Sequence, residues 1–438
     1  MYRFILPLGL AALFSTPVYS QTPASVAAGN PDTGVQVRDV KIWSLANSIR
    51  RALDIAPELR AAEAEIAARE AELEQAGAWP NPTIDVRADN RLGIEDGSGG
   101  SGLTQIALSQ PLPLGRIARQ RAVAEAYLDS ARENLRHRKL LLEREVTGAF
   151  QALQLADAKH RLAEERLKLV GESPVARMGG TDRLVRYLTP LERQRLAILN
   201  EEASQALAAT AREQQKALLD FRTLLALPDG AQLEVTALAL PEAPANLEKL
   251  LRTLDAHPAL AAASKDVEAA QAGIAAAESQ RYADPSLNLF RERDYLAGAR
   301  RDVTGIGVSV QLPLWNSGSG AVAKAGAEAG RAQAQLAIAQ RDARIRLEQA
   351  HAELQRLLDQ TARLNNKLLE PARQVYMLTR RGFASGELNL LTLVDASNTY
   401  FDARLRHLQL QQESARAAAD LRLASGSSAL DSSTEPQP

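Results

Sequence analysis

Five histidines are the first candidates for chemistry: His137, His160, His257, His351 and His407. Imidazole acts as a general base or a metal ligand near neutral pH. Either role needs company, such as a second imidazole one helical turn away or an acidic cluster. No His-x-x-x-His pair occurs and none stands beside a clear acidic cluster, so the spacing assigns all five to helix surface and names no metal ligand. Gly97-Ser98-Gly99-Gly100 lacks the lysine and the following helix of a phosphate-binding loop and reads as a hairpin loop. Acidic pairs such as Glu164-Glu165 and Glu201-Glu202 fit solvated helix faces. The chain contains no cysteine, which excludes disulfide scaffolds, thiolate zinc sites, Cys nucleophiles and a lipid-modified N-terminal Cys. No catalytic constellation is visible, so the expectation is a protein that is not an enzyme and needs no cofactor.

The composition describes the elements instead. The 438 residues carry 52 basic and 53 acidic side chains, a balance that gives no reason to expect nucleic acid as a partner. Hydrophobic residues make up 45% of the chain but aromatics only 4%. A generic length of about 150 residues per domain suggests three compact domains. The aromatic shortage argues against them, because compact cores lean on large rings. Ala and Leu set among Glu, Arg and Gln are the composition of long helices and coiled coils. At the N-terminus Arg3 precedes an apolar run from Phe4 to Phe14, and Val18-Tyr19-Ser20 supplies a cleavage site after about Ser20. Residues 1–20 are thus expected to be a secretory signal peptide. Residues 21–40 read as a loose leader, and no later segment is apolar enough for a transmembrane helix.

The chain also repeats itself at an offset of about 200 residues. Leu53-Asp54-Ile55-Ala56-Pro57-Glu58-Leu59 aligns with Leu254-Asp255-Ala256-His257-Pro258-Ala259-Leu260. Trp79-Pro80-Asn81-Pro82 aligns with Tyr282-Ala283-Asp284-Pro285, and Leu112-Pro113-Leu114 with Leu312-Pro313-Leu314. Heptad-spaced seams follow in both halves: Leu128, Leu135, Leu142, Ala149, Ala156, Ala163 and Val170, then Leu336, Ala343, Ala350, Leu357 and Leu364. The expected organisation is a first repeat at 41–227, an equatorial segment at 228–246, a second repeat at 247–426 and a disordered tail at 427–438.

Within each repeat the order is helix, strand, turn, strand, long helix, tip, helix. One helix is expected from Leu45 to Gly77, ended by Pro80 and Pro82. Strands are expected at about 83–90 and 103–110, with Ile84, Val86 and Ala88 alternating against Asp85, Arg87 and Asp89. The second pair is expected at about 286–293 and 303–311, where Ile306, Val308 and Val310 oppose Gly305, Gly307 and Ser309. Long helices run from Arg116 to Val170, roughly 80 Å at 1.5 Å per residue, and from the Asn316–Gly320 turn to about Arg380. Tips fall at about 172–189 and 380–390. Thr189-Pro190-Leu191-Glu192 reads as a capping box that starts the return helix late.

Helices this long must lie side by side along Ala-rich seams. Four alternating strands cannot close a barrel alone, because membrane barrels start at about eight. Three chains would give twelve and leave no edge. Trp79, Tyr282 and Trp315 flank the strand pairs, at the level of an aromatic girdle. Ordinary packing at a helix–strand junction is the other reading of these rings.

These residues resemble the outer-membrane efflux protein (TolC) family. The duplicated unit, the Pro-x-Pro before a strand and Gln110-Pro111-Leu112-Pro113-Leu114 after one carry the likeness. The second tip adds most, Arg380-Arg381-Gly382-Phe383-Ala384-Ser385-Gly386-Glu387-Leu388-Asn389-Leu390-Leu391-Thr392-Leu393-Val394-Asp395-Ala396. It is similar to the family's aromatic-x-x-Gly, apolar, Asp-Ala pattern, and the resemblance covers residues from about 40 to 426.

The resemblance implies a mainly α fold with a small β part. A homotrimer would close a twelve-stranded barrel in outer-membrane lipid and continue it as a twelve-helix barrel into the periplasm. It implies the passive exit duct of a tripartite pump, with a periplasmic adaptor and an inner-membrane RND-type transporter as partners. Asp395 matches the family's acidic ring at the periplasmic gate, and Phe383 the place of a gating aromatic. Thr392 stands where some members have a second aspartate, and Leu388 where a gating Arg can occur. Gly180 with Leu184, and Gly386 with Leu390, match the tips that adaptors grip; a plain helix C-cap would also use such glycines. The Leu114-Gly115-Arg116 step resembles the heavy-metal (cobalt–zinc–cadmium) branch and favours metal-ion cargo, with drug efflux as the alternative. A periplasmic coiled-coil adaptor would carry one hairpin and a lipoyl-like module, which the duplicated strand pairs disfavour.

Overall fold

The computed structural model describes residues 41–88, 104–171, 189–228, 233–296 and 299–431. In chain order the elements are β1 (Lys41–Trp43), α1 (Leu45–Ile55), α2 (Pro57–Gly77), β2 (Thr83–Ala88), β3 (Thr104–Pro111), α3 (Arg116–Gly171) and α4 (Pro190–Leu224). The second half has β4 (Leu233–Val235), α5 (Leu247–Arg252), a 3-10 turn at Leu254–Ala256, α6 (Pro258–Ser279), β5 (Ser286–Leu296) and β6 (Ala299–Ser309). It ends with α7 (Ser319–Leu364), a π-turn at Asn365–Leu369, α8 (Glu370–Ala384) and α9 (Leu390–Ser425).

The helix expected as one piece from Leu45 to Gly77 is two. Pro57 has no N–H to donate and pushes the residue before it out of helical geometry, so Ala56 takes ψ 122°. The repeat makes the same break before Pro258, where His257 takes ψ 128°. The Leu-Asp-x-x-Pro-x-Leu motif is therefore the device that turns each repeat from its short helix into its long one. Likewise the run expected from the Asn316–Gly320 turn to about Arg380 starts at Ser319 and continues to Ala384 but contains the π-turn, just ahead of Pro371. Proline there removes one ladder donor, and the wider turn accommodates the lost bond.

β2, β3, β5 and β6 form one antiparallel sheet in that order, with Ile84 opposite Leu108, Leu108 opposite Leu289 and Leu289 opposite Ile306. That register gathers Ile84, Val86, Ile106, Leu108, Leu287, Leu289, Ile306 and Val308 on one face, and the face is bare: Ile84 is 71% exposed, Ile306 71% and Val308 69%. The opposite face carries Asp85, Gln105, Ser109 and Asn288. Phe290 also lies on it, its ring lying over Gly305. β1 pairs in parallel with β4, tying the start of the first repeat to the segment between repeats.

Two apolar clusters anchor the helices at mid-length. One joins Trp43, Ile49, Val146, Phe150, Leu153, Phe221 and Leu225; the other joins Leu254, Leu260, Leu347, Leu354, Leu357, Leu410 and Leu421. Of the expected seam residues, Leu128, Ala156, Ala163 and Leu357 are buried and the others half-buried. Leu140, Val146, Phe150 and Leu153, outside that seam, are buried as well, because α3 packs on α2, α4, α6 and α9 together rather than along one stripe.

Residues 427–431, assigned by composition to the tail, are held against α3. The buried Glu143 carboxylate accepts the Ser428 hydroxyl at 2.9 Å from each oxygen and the Ala429 N–H at 2.9 Å. No helix among the described residues is long and apolar enough to cross a membrane.

Candidate functional site

The second tip is built by a short turn between α8 and α9. α8 ends at Ala384, and Gly386 takes the left-handed conformation at φ +79°, which glycine adopts without a Cβ penalty. The Gly382 carbonyl accepts the N–H of Glu387 at 2.8 Å and of Leu388 at 3.1 Å. Leu388 folds back so closely that a Cβ on Gly382 would meet its Cδ1 at 2.8 Å. The place of a gating Arg is thus used here to close the turn.

α9 starts at an Asn389 cap, whose Oδ1 accepts the Thr392 N–H at 3.0 Å and the Thr392 hydroxyl at 2.9 Å. Thr392 therefore spends its hydroxyl on the cap. Asp395, one turn on, is exposed, in line with Leu391, Thr399, Asp402 and Arg406 along an uncovered stripe of α9. Leu390, on the opposite side, is 3% exposed and sits under the tip.

Phe383 does not join Asp395. It is half-buried and faces a cavity of about 360 Å³ between the two helical hairpins, lined also by Arg166, Tyr376, Arg380, Leu390 and Val394. The wall behind that cavity was not foreseen. Tyr376 and Tyr400 stack at 5.2 Å with rings 3° apart, and Phe401 packs edge-on to Tyr376 at 6.4 Å. Burial pushes the Tyr376 hydroxyl up from its ordinary pKa. Two arginines then cross between helices in opposite senses. Arg166 of α3 donates to Asn398 Oδ1 at 2.8 Å, while Arg404 of α9 pairs with Glu165 of α3 and lies over Tyr400. In a chain with 4% aromatics, the adjacent Tyr400-Phe401 was the available signal for this clamp.

Gly180 and Leu184, the expected contacts of the first tip, lie outside the described residues. The helix that returns from it does start at Pro190. Thr189 Oγ1 accepts the Glu192 N–H at 3.2 Å and Glu192 accepts the Thr189 N–H at 2.8 Å. The Thr189 N–H, and then its hydroxyl at 2.9 Å, donate to the Glu192 carboxylate and hold it below its ordinary pKa.

At the other end, Trp79, Tyr282 and Trp315 are 63%, 68% and 95% exposed. They stand at the junctions α2–β2, α6–β5 and β6–α7, all at the helical end of the sheet.

The histidines depart from the surface assignment. His257 and His351 are each 7% exposed. His257 Nε2 donates to the Leu423 carbonyl at 3.0 Å and its Nδ1 accepts the Ala259 N–H at 3.1 Å, so it is a neutral cap of α6. His351 Nε2 donates to the Ala245 carbonyl at 3.0 Å. The described residues contain no group of three His, Cys, Asp or Glu side chains that could hold a metal ion.

Comparison with known proteins agrees with this architecture. The chain is 27% identical over 439 residues to the cobalt-zinc-cadmium resistance protein CzcC of Cupriavidus metallidurans, spanning 95% of this chain and 98% of that one. Crystal structures of CusC superpose with a TM-score of 0.70 at 19% identity, covering 87% of this chain and 92% of theirs. The open-state MtrE outer membrane channel of Neisseria gonorrhoeae gives 0.69 at 21% identity, covering 94% and 98%. These two share the fold. The outer membrane efflux protein family matches residues 48–225 and again 250–427, one match per repeat, and the chain belongs to that family.

Proposed function

We propose that the protein is the exit duct of a tripartite efflux system, a homotrimer in the outer membrane that conducts its cargo passively from the periplasm. The observation that carries this reading is the four-stranded sheet. Its apolar face is uncovered, its edge strands β2 and β6 are unpaired among the described residues, and it continues directly into the long helices. A bare apolar face seeks lipid, and free edges seek other strands. Three copies close the ring at twelve strands and remove both liabilities at once. The exposed Trp79, Tyr282 and Trp315 then stand as an aromatic belt at the periplasmic interface.

The tips face the pump. Asp395 from three copies forms an acidic ring at the periplasmic aperture, supported by its position on the uncovered stripe of α9. Phe383 and Thr392 support that ring indirectly, one in the cavity wall and one in the helix cap. Gly386 and Leu390, with Gly180 and Leu184 of the first tip, form the turns that a periplasmic adaptor grips. An inner-membrane RND-type transporter supplies the energy. The residues of the duct leave the cargo chemically unchanged. The likeness to CzcC favours divalent heavy-metal cations as cargo.

Recovery of the protein as a monomer in the soluble periplasm would overturn this reading. In a planar bilayer, Asp395→Ala is expected to raise conductance and weaken cation preference; an unchanged current would remove Asp395 from the aperture. A deletion strain is expected to gain sensitivity to cobalt, zinc or cadmium. Sensitivity to drugs alone would reassign the cargo.

A further inference from the structure

The apolar ladder does not reach the end of the β5–β6 hairpin. Leu287 opposes Val308 and Leu289 opposes Ile306, but the next pairs on the same face are Arg291 with Thr304 and Arg293 with Asp302. Alternation along each strand places these four on the bare apolar face. They lie on the side away from the helices, since Ser286 and Ser309 are the ends that lead to α6 and α7. Arg293 is roughly 13 Å beyond Leu289 along the strand.

Asp302 holds both arginines. Arg293 Nε donates to its Oδ1 at 2.7 Å and Arg293 Nη2 to its Oδ2 at 3.3 Å, while Arg291 Nη2 donates to Oδ2 at 3.0 Å. One carboxylate balances one guanidinium, so the cluster keeps a net positive charge. The arginine side chains remain 70% and 56% exposed. Each guanidinium has five N–H donors in a planar fork that matches phosphate oxygens, and most of these are unused. A cross-strand ion pair needs one arginine; the second adds charge beside a face whose inner rows are Leu, Ile and Val.

We propose that Arg291 and Arg293, oriented by Asp302, bind the phosphate of an anionic lipid headgroup in the outer leaflet. This rests on the reading of the sheet as membrane-spanning. Charge on a lipid-facing strand is costly at mid-bilayer but falls to little near the interface, where the pair lies just past the apolar rows. There the complementary group is a headgroup phosphate, which accepts two parallel N–H bonds from one fork.

The test uses the full-length protein in detergent, titrated separately with diphosphorylated lipid A, phosphatidylcholine and inorganic phosphate, with bound lipid counted by native mass spectrometry. The wild type is expected to retain lipid A over phosphatidylcholine. R291Q/R293Q is expected to bind lipid A about tenfold more weakly, with R87Q on the opposite face unchanged. Should R291Q/R293Q fail to assemble, R291K/R293K keeps the charge, loses the fork and is expected to bind severalfold more weakly. Equal retention by wild type and the assembled variant overturns the site, as does displacement by inorganic phosphate as effective as by lipid A. Wild type recovered in the membrane fraction without preference for lipid A overturns this site and leaves the duct standing. Wild type absent from the membrane fraction overturns both.

Discussion

Gly426 caps α9 directly against His257. A Cβ on Gly426 would lie 3.1 Å from Cδ2 of the imidazole, and the glycine is held at φ +73°. The same imidazole caps α6 and lies 5.5 Å from the ring of His137. One residue pair therefore joins the start of the second repeat's long-helix system to its end.

Gly426→Ala should show this. The left-handed conformation alone costs roughly 1–2 kcal/mol for a residue with a Cβ, and the contact with His257 adds to it. Gly386→Ala is the comparison, since it has the same strain at φ +79° but open space around the added methyl. Thermal melts should place Gly426→Ala below Gly386→Ala. Equal melting temperatures would mean that the His257 contact yields freely.

His257 also predicts a pH dependence. Burial lowers its pKa, its bond to Leu423 opposes this, and Arg346 lowers it further. His137 is lowered by burial, by His257 and by Arg346. The unfolded chain then binds more protons than the folded one in the window just below the ordinary histidine pKa of about 6.5. Stability is fully present above that value and falls as pH drops through the window toward the folded pKa. A second proton on His257 would sit on Nδ1, facing the Ala259 N–H at the α6 N-terminus. His257→Asn retains a capping side chain and should flatten the fall in melting temperature between neutral and mildly acidic pH. A slope unchanged in that variant would assign the effect elsewhere.

The crossed arginines on α3 and α9 predict a separation of stability from gating. The Arg404–Glu165 side chains are 32% and 44% exposed, so solvent screens the pair and its loss should cost under about 1 kcal/mol. Yet together with Arg166–Asn398 it fixes where α9 lies against α3 near the tip. Arg166→Ala/Arg404→Ala should leave the melting temperature within a few degrees while raising single-channel conductance. A large loss of stability with unchanged conductance would make the clamp structural only.

Much of this architecture was legible because it rests on local rules. Pro80 and Pro82 keep α2 from running on whatever surrounds them, the alternation at Ile84, Val86, Ile306 and Val308 sets the sheet's faces, and Thr189 with Glu192 caps α4 as spaced. The misses are long-range. Pro57 is a local exception, a break at Ala56 that the single helix expected from Leu45 to Gly77 passes over. His257 and His351 carry no sequence sign that carbonyls of Leu423 and Ala245 will meet them. Thr392 is not one of these long-range misses: it stands at a gate position in the linear pattern, and its hydroxyl donates to the Asn389 cap three residues before it. The clamp of Tyr376, Tyr400 and Phe401 joins residues from two helices, and spacing along either one does not reveal it.

Gly305 and Gly307 give the last prediction, on the polar face of β6. Both are two-residue neighbours in one strand, and both look equally dispensable by alternation. The structure separates them: a Cβ on Gly305 would collide with Cζ of Phe290 on the adjacent strand, whereas one on Gly307 meets nothing within 4 Å. Phe290 is the direct cross-strand partner of Gly305 and covers it with its ring. Gly305→Ala must therefore displace a ring or bend the strand, an overpacking strain of typically 1–3 kcal/mol, and should lower the melting temperature. Gly307→Ala should be neutral or slightly stabilising, because it lowers the entropy of the unfolded chain without strain. Phe290→Ala should rescue Gly305→Ala by removing the obstacle. Equal behaviour of the two glycine variants would show that Phe290 swings away at no cost, and the ring would then have no part in holding the β5–β6 register.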